Sequence, residues 1–250
     1  MNAASHWLSR ITPRPGIGYK QLVELGNLDP YGQHQALYRL FDFPPKEERT
    51  GQPVPFLFRA EQQDGMPVFY VLSEQHPQDR QDLWHVETKP YKPDLQSGDR
   101  LAFKLRVNPV VGRHGGPVLD ASGTPKLRKS GLEKLKVTRH DVVMDAKLRM
   151  GWKALPETDR PSLAQLAYEA GTCWLRDRQE RLGVRFTDAE LRVDGYRTWR
   201  QRSGKGIALS TLDFEGVLQI VDPERFRAVL LTGIGPAKAF GCGLMLVRRL

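Results

Sequence analysis

The stretch GIGPAKAFGCGLMLVRRL, residues 233–250, decides how the end of this chain folds, because its glycines crowd a short segment before the last apolar run. A phosphate-binding P-loop needs Gly-Lys-Ser/Thr and a following helix, and a dinucleotide fingerprint needs a complete βαβ unit. Neither requirement is met, since no Gly-Lys-Ser/Thr occurs and too little chain follows for a second strand. The stretch therefore predicts a sharply turning glycine loop, with or without a ligand, that enters a strand at 244–247.

In the second half of the chain, which ends with this loop, the sequence predicts strands and helices in the order β-α-β-β-α-β. The segment LAFKLRVNP, which follows a turn at 97–100, alternates apolar and basic residues as a half-buried strand does. Residues 110–138, rich in Gly, Pro, Lys and Arg, predict an extended, flexible insertion. The other predicted elements are helices at 139–150 and 161–182, strands at 184–199 and 207–221, and a helix that begins at Asp222-Pro223.

The first half predicts the same order. A strand at 6–12 and a Pro/Gly-containing connection precede LDPYGQHQALYRLF, a helix with Asp29 as N-cap that Pro44 ends. Asp64-Gly65 predicts a hairpin turn, the polar stretch 76–82 predicts one helical turn, and 84–91 predicts a strand. We therefore expect an α+β protein of two tandem ferredoxin-like (RRM-like, βαββαβ) domains, residues 1–96 and 97–250.

Charge is distributed unevenly between these halves. Residues 1–96 contain 10 Lys/Arg and 12 Asp/Glu, whereas residues 97–250 contain 28 and 17, a net charge of +11 for the second half. Such asymmetry is typical of a chain in which one part binds a polyanion. A basic surface that serves only solubility is the alternative.

Several classes of protein are disfavoured by composition. No run approaches 18 apolar residues, so no transmembrane helix is expected, and the first residues contain no apolar core of a signal peptide. Cys173 and Cys242 are too few for a disulfide framework and too isolated for a zinc site. We expect a cytoplasmic protein.

The histidines are candidate groups for proton transfer, because histidine titrates near neutrality. No pair has the spacing of metal ligands and no acidic cluster suggests a two-metal nuclease site, so no metal or cofactor is expected. RNA can be cut without metal, because its own 2′-hydroxyl is the nucleophile and the protein needs only to transfer protons and stabilise charge. His34 lies at the edge of the apolar stripe of its helix, beside Tyr31 and Tyr38. A partly buried histidine with a structural role is the alternative.

Three stretches far apart in the chain, LAFKLRVNPV, FEGVLQIVDPERF and GIGPAKAFGCGLMLV, resemble the CasE family. These proteins are the CRISPR RNA-processing endoribonucleases of type I-E Cascade complexes. The resemblance covers nearly the whole chain, and residues 16–27 and 139–150 look like additions relative to short members.

The resemblance implies roles for particular residues. YGQH matches the tyrosine and the essential histidine of the family's active site, so Tyr31 would position phosphate or ribose and His34 would transfer a proton. In RSGKG, Lys205 matches a basic residue near the scissile phosphate. The glycine-rich loop would support RNA binding, with backbone N–H groups and an ammonium available to phosphates; its residues are Gly233, Gly235, Lys238, Gly241 and Gly243.

Dense cationic segments are expected to follow the phosphates of a repeat stem-loop, because the major groove of A-form RNA is too narrow for base recognition. They comprise Lys126, Arg128, Lys129, Lys134, Lys136, Arg192, Arg197, Arg200 and Arg202. No RNP-type aromatic motif is present, which disfavours ordinary single-strand binding on a sheet face.

The expected activity is metal-independent cleavage of CRISPR precursor RNA at the 3′ side of each repeat hairpin. The enzyme would be a monomer when free, would stay bound to its product, and would join other Cascade subunits. A non-catalytic subunit that caps the hairpin is the first alternative. A metal-dependent nuclease and a duplex-DNA binder are further alternatives.

Overall fold

The computed structural model describes residues 6–43, 55–128, 130–200 and 208–250. These ranges form an α+β fold of two tandem ferredoxin-like domains. The strands are β1 His6–Pro13, β2 Phe56–Gln63, β3 Met66–Ser73, β4 Trp84–Tyr91, β5 Arg100–Val107, β6 Val110–Pro117, β7 Leu135–Asp141, β8 Val184–Phe186, β9 Arg192–Arg200, β10 Ala208–Ile220 and β11 Met245–Arg249. The helices are α1 Tyr19–Gly26, α2 Pro30–Tyr38, α3 Val142–Arg149, α4 Leu163–Arg176, α5 Gln179–Leu182 and α6 Pro223–Thr232.

The first sheet has the strand order β2-β3-β1-β4, with every pair antiparallel, which is the ferredoxin-like order. Its hairpin turn is as predicted, since Asp64 and Gly65 adopt φ values of 52° and 77°. Asp29 caps α2 by accepting a hydrogen bond from Gly32 N at 2.7 Å. Beneath α2 a core forms around Ile11 and Phe58, both fully buried.

Three local predictions in this domain were wrong. The connection after β1 contains α1, whose sequence YKQLVELG has no side-chain N-cap that would announce it. The helix that holds His34 ends at Tyr38, before the predicted stop at Pro44, which lies outside the described residues. The polar stretch 76–82 forms no helix; Asp79 accepts hydrogen bonds from Gln81 N and Trp84 N instead, which favours an open turn.

The second sheet has the order β11-β5-β10-β8, and β9 also pairs with β10. β10 is 13 residues long, so β9 pairs with its first part and β8 with Leu218–Ile220. The strand predicted at 184–199 is therefore two strands, separated by a 3-10 turn at Asp188–Glu190. The two together occupy the place of the second strand in a ferredoxin-like order.

The predicted insertion is a two-stranded hairpin of β6 and β7, here called the arm. Toward its tip, three backbone segments hydrogen-bond in a ring: Val118 N to Lys134 O at 2.7 Å, Lys126 N to Val118 O at 2.8 Å, and Lys134 N to Lys126 O at 2.7 Å. The helix expected at 139–150 begins only after Asp141, because that carboxylate caps it. The helix expected at 161–182 is split into α4 and α5.

The first sheet uses both of its faces for packing. One face covers the core under α2, and the other packs against α6, the glycine-rich loop and β11 of the second domain through Leu57, Leu72 and Leu244, all buried. This second face is the surface with which RRM-like domains usually bind single strands, so the docking of the domains occupies it. Among the described residues, no helix combines the length and the apolar composition that crossing a membrane requires.

Candidate nucleic-acid interface

The His34 side chain rests on a wall of aromatic rings from β2. Its ring stacks on Phe56, with centroids 5.0 Å apart and planes 21° apart, and lies 6.2 Å from the ring of Phe58. Tyr38 of the same helix lies 6.1 Å from it. Tyr31, one turn earlier, is 43% exposed. The helix thus holds an imidazole against the core edge and leaves a phenol in solvent.

The glycine-rich loop docks on this wall from the second domain. Gly241 has a φ of +76°, and a Cβ at this position would lie 3.2 Å from Phe58 Cε2. Gly233 has a φ of +75°, and its Cβ would lie 2.8 Å from Leu57 Cδ1. A side chain at either position would force the loop away from β2. Gly235 and Gly243 also adopt positive φ values.

Next to this contact, the 3-10 turn Lys238–Phe240 of the loop packs against α2. Lys238 Nζ donates a hydrogen bond to Thr232 O at 2.5 Å, where it compensates the negative end of α6. The ammonium is therefore held at the C-terminal end of α6.

A cleft of about 440 Å³ opens where the two domains meet, here called the interdomain cleft. The first domain contributes α2 and the end of β2, and the second domain contributes β5, β9, β10 and the glycine-rich loop. Its lining includes Pro30, Gln33, Glu61, Arg106, Arg197, Trp199, Phe240 and Gly241. Gln33 directly precedes His34, so the predicted catalytic helix forms one wall of this cleft.

A buried ionic cluster joins the domains at the cleft. Asp213 of β10 accepts hydrogen bonds from Arg106 Nε at 3.0 Å and Nη2 at 2.9 Å, and lies 3.3 Å from Arg59 Nη2 of β2. Arg59 Nε also donates to Glu61 at 2.7 Å, and Arg106 Nη1 donates to Ala60 O at 2.9 Å. The two arginines and two carboxylates balance in charge, which allows Arg59 to be buried between the domains while Arg106 and Glu61 stay partly exposed.

Cys242 lies beside this cluster. Burial raises the pKa of its thiol to about 12, so the protonated and weakly nucleophilic form prevails at neutral pH. The cysteine is a small buried side chain.

The predicted RNA-binding cations lie on two surfaces. Lys126, Arg128, Lys134 and Lys136 are exposed on the arm, and Arg197 and Arg200 are exposed on β9. Within the part of the chain that the structure describes, none of these six side chains pairs with a carboxylate, whereas Arg192 binds Asp194 at 2.7 Å. Cations without an anionic partner are available to phosphate. Lys129, Arg202 and Lys205 lie outside the described residues.

The sequence did not single out the buried cluster, the contact between the rings of Trp199 and Phe240 at 5.8 Å, or Arg139. Arg106 was detectable in part, since LAFKLRVNP places it on the basic side of an alternating strand. Within 6–43, 55–128, 130–200 and 208–250, no three His, Cys, Asp or Glu side chains are placed to bind one metal ion.

The fold and the site together define the class of protein. It is a tandem ferredoxin-like protein with a histidine at the domain junction and with exposed cations that pair with no carboxylate among the described residues. The profile of the family described as "CRISPR associated protein" matches residues 6–249. This chain belongs to that family.

Individual relatives are similar over nearly their full lengths. CRISPR-associated endoribonuclease Cse3 of Thermus thermophilus is 27% identical over an alignment of 253 residues that covers 96% of this chain and 99% of that protein. CRISPR system Cascade subunit CasE of Escherichia coli is 28% identical over an alignment of 221 residues, which covers 87% of this chain and 90% of that protein. A solved structure of Thermus thermophilus Cse3 bound to an RNA representing a pre-cleavage complex has a TM-score of 0.63 and 24% identity, with 98% of this chain and 99% of that one covered. The structural likeness confirms the tandem ferredoxin-like fold.

Proposed function

We propose that this protein is a metal-independent endoribonuclease that cleaves CRISPR precursor RNA at the 3′ side of each repeat stem-loop. Membership of the CRISPR-associated family supports this proposal, as do relatives named as an endoribonuclease and as a Cascade subunit. The observation that supports it most is the position of His34, a titratable ring held where α2 meets the glycine-rich loop.

In the proposed reaction, the 2′-hydroxyl next to the scissile phosphate attacks phosphorus and the P–O5′ bond breaks. A 2′,3′-cyclic phosphate and a 5′-hydroxyl form, so one proton leaves the 2′-oxygen and one reaches the 5′-oxygen. Neutral imidazole can accept the first proton, and imidazolium can donate the second. We assign His34 to one of these transfers and Tyr31 to positioning the phosphate or ribose.

Negative charge that builds up on the phosphoryl group requires nearby cations. We assign this role to Lys205, on the resemblance of RSGKG, and to Arg197, which lines the interdomain cleft. The glycine-rich loop would add backbone N–H groups and Lys238. All three sources of positive charge belong to the second domain, whereas His34 belongs to the first.

We further propose that the cations of the arm bind the phosphates of the stem, so that the cleaved RNA stays bound and enters Cascade with the protein. The free protein would be a cytoplasmic monomer, and the division into domains at residue 96 stays a prediction. Slow turnover follows, because the same phosphate contacts hold substrate and product.

The test is a single-turnover cleavage assay in excess EDTA with a repeat stem-loop RNA from the host's own array. The variants are His34→Ala and, as a matched control, His85→Ala, whose ring is exposed on β4. A second RNA carries one 2′-deoxy at the expected cut. We expect wild type and His85→Ala to cut, His34→Ala to bind without cutting, and the deoxy RNA to stay intact.

Two results would contradict the proposal. Cleavage that requires metal, or that proceeds at full rate in His34→Ala, would remove the assigned mechanism. Tight binding of the stem-loop without any cleavage by wild type would favour the non-catalytic capping subunit.

A further inference from the structure

A second cavity lies on the other side of β9 from the interdomain cleft. Its volume is about 680 Å³, and four parts of the second domain enclose it: the base of the arm, the start of α3, the β9–β10 pair and the glycine-rich loop. We call it the Tyr196 pocket. Its lining includes Arg139, Asp141, Met144, Tyr196, Thr198, Trp199, Arg200, Leu209, Ser210 and Pro236.

A β-bulge aims Tyr196 into this pocket. The register of β9 and β10 shifts between Thr211 and Asp213, and Gly195 adopts a φ of +63° at the shift. A Cβ on Gly195 would lie 2.8 Å from Asp213 Oδ2, so the bulge requires glycine. Because of the extra residue, Tyr196 lies on the pocket side of β9. Arg197 lines the interdomain cleft, and Thr198 and Trp199 line both cavities.

Hydrogen bonds hold the Tyr196 ring in place. Its hydroxyl donates to Asp141 Oδ1 at 2.9 Å, and burial raises the pKa of this phenol. Asp141 also accepts hydrogen bonds from Val143 N at 3.0 Å, from Met144 N at 2.9 Å and from the Ser210 hydroxyl. The Asp141 carboxylate thus accepts four hydrogen bonds from the wall of the pocket.

The mouth of the pocket is cationic. Arg139 of β7 and Arg200 of β9 are both exposed, and neither pairs with a carboxylate among the residues that the structure describes. A fixed aromatic ring with apolar neighbours and two unpaired guanidinium groups can bind a nucleobase and its phosphate together.

The pocket also lies on the path that the RNA would take. Thr198, Trp199 and Leu209 line both the pocket and the interdomain cleft, so the two cavities communicate around the edge of β9. Arg139 and Asp141 belong to β7, whose other end extends into the cationic arm. The pocket is therefore placed between the surface proposed for the stem and the cleft proposed for cleavage.

We infer that the Tyr196 pocket binds an unpaired nucleotide adjoining the stem-loop, with its base against Tyr196 and its phosphate between Arg139 and Arg200. This inference rests on the proposed function, since it presumes that the arm binds the stem. A nucleotide bound in the pocket would hold the flanking strand beside the cleavage site. The protein would then bind the flanked precursor more tightly than the bare hairpin.

The test compares two uncleavable 2′-deoxy RNAs, a stem-loop with unpaired flanks and the same stem-loop without them, by fluorescence anisotropy at one salt concentration. Stacking and phosphate contacts in one such pocket predict a gain of about 5- to 100-fold for the flanked RNA with wild type. The variants Arg139→Gln and Tyr196→Leu should each lose most of this gain and keep their affinity for the bare hairpin.

Tyr196→Phe serves as a control that keeps the ring, and Arg185→Gln serves as one that removes an exposed arginine on β8. Both should keep the gain, and thermal melting checks that each variant folds. Absence of a gain in wild type, or a gain that survives in both Arg139→Gln and Tyr196→Leu, would overturn the inference while hairpin binding still supports the proposed function. Failure of wild type to bind the bare hairpin would overturn both.

Discussion

The ring of His34 lies 5.0 Å from the ring of Phe56, and the two planes differ by 21°. Phe56 is 2% exposed, so the imidazole is stacked against a rigid part of the core and not against a mobile surface side chain. Since the efficiency of proton transfer depends on the orientation of the transferring group, we expect this contact to contribute to the proposed mechanism.

Phe56→Leu should therefore lower the cleavage rate by more than the accompanying loss of folding stability accounts for. Loss of the stacking surface should lower the single-turnover rate by about 10- to 100-fold, because the ring is misplaced. Val71→Ala is the control, since Val71 is fully buried in the same core and does not line the interdomain cleft. Equal loss of activity in both variants at equal stability would show that Phe56 has no orienting role.

Gly241→Ala should separate the glycine-rich loop from β2. Its φ of +76° and the nearness of Phe58 both oppose a side chain, and we expect a cost of about 1–3 kcal/mol with reduced cleavage. Gly16→Ala isolates backbone strain, because Gly16 has a φ of +83° and no atom lies within 4 Å of its Cβ position. Urea unfolding and the cleavage assay measure both effects. Full activity in Gly241→Ala would argue against loop docking as a requirement.

Asp213→Asn should destabilise the protein strongly. The substitution leaves the buried Arg59 and the partly exposed Arg106 without their shared carboxylate, so we expect a cost near the lower end of the about 3–5 kcal/mol typical of breaking a fully buried pair. Glu215→Gln, two residues along β10, removes an exposed pair with Lys104 and should cost less than about 1 kcal/mol. Chemical denaturation of both variants gives the comparison. Similar midpoints would mean that the buried cluster contributes no more than a surface pair.

The arm cations should control the salt dependence of RNA binding. Replacing Lys126 and Lys134 together with alanine should reduce the slope of log K against log salt by roughly 1.5, because two phosphate contacts are lost. Lys89→Ala, an exposed lysine on β4, should leave the slope unchanged. Titrations of the uncleavable stem-loop at several salt concentrations measure it. An unchanged slope in the double variant would indicate that the RNA stem binds a surface other than the arm.

The two cysteines should differ in reactivity. Cys173 is exposed, whereas Cys242 is buried with a thiol pKa raised to about 12. A raised pKa keeps the thiol protonated, so an aromatic disulfide reagent at pH 8 should label one thiol in the native protein and two in denaturant. Rapid labelling of both native thiols would show that the loop beside Cys242 opens.

Most elements were predictable because their signals act within a few residues. Asp29 and Asp222 cap helices by accepting from Gly32 N and Arg225 N, and Asp64-Gly65 closes a hairpin through its own backbone preference. α1 was missed, and the helix expected at 161–182 ends at Arg176 before α5 begins. These boundaries depend on packing against neighbouring elements, which a local pattern does not contain.

The sequence by itself determined the ferredoxin-like order of elements, the concentration of positive charge in the second half, and the spacing that puts Tyr31 and His34 on one helix. The tertiary structure alone decided that the His34 ring stacks on Phe56, that Gly241 lies against Phe58, that Asp213 joins two arginines from different domains, and that a bulge lies beside Tyr196 at the pocket. The physical reason is that helix caps and turns are stabilised by atoms a few residues apart. Contacts between elements depend instead on sheet register and domain docking, which arise from many weak interactions between residues distant in the chain.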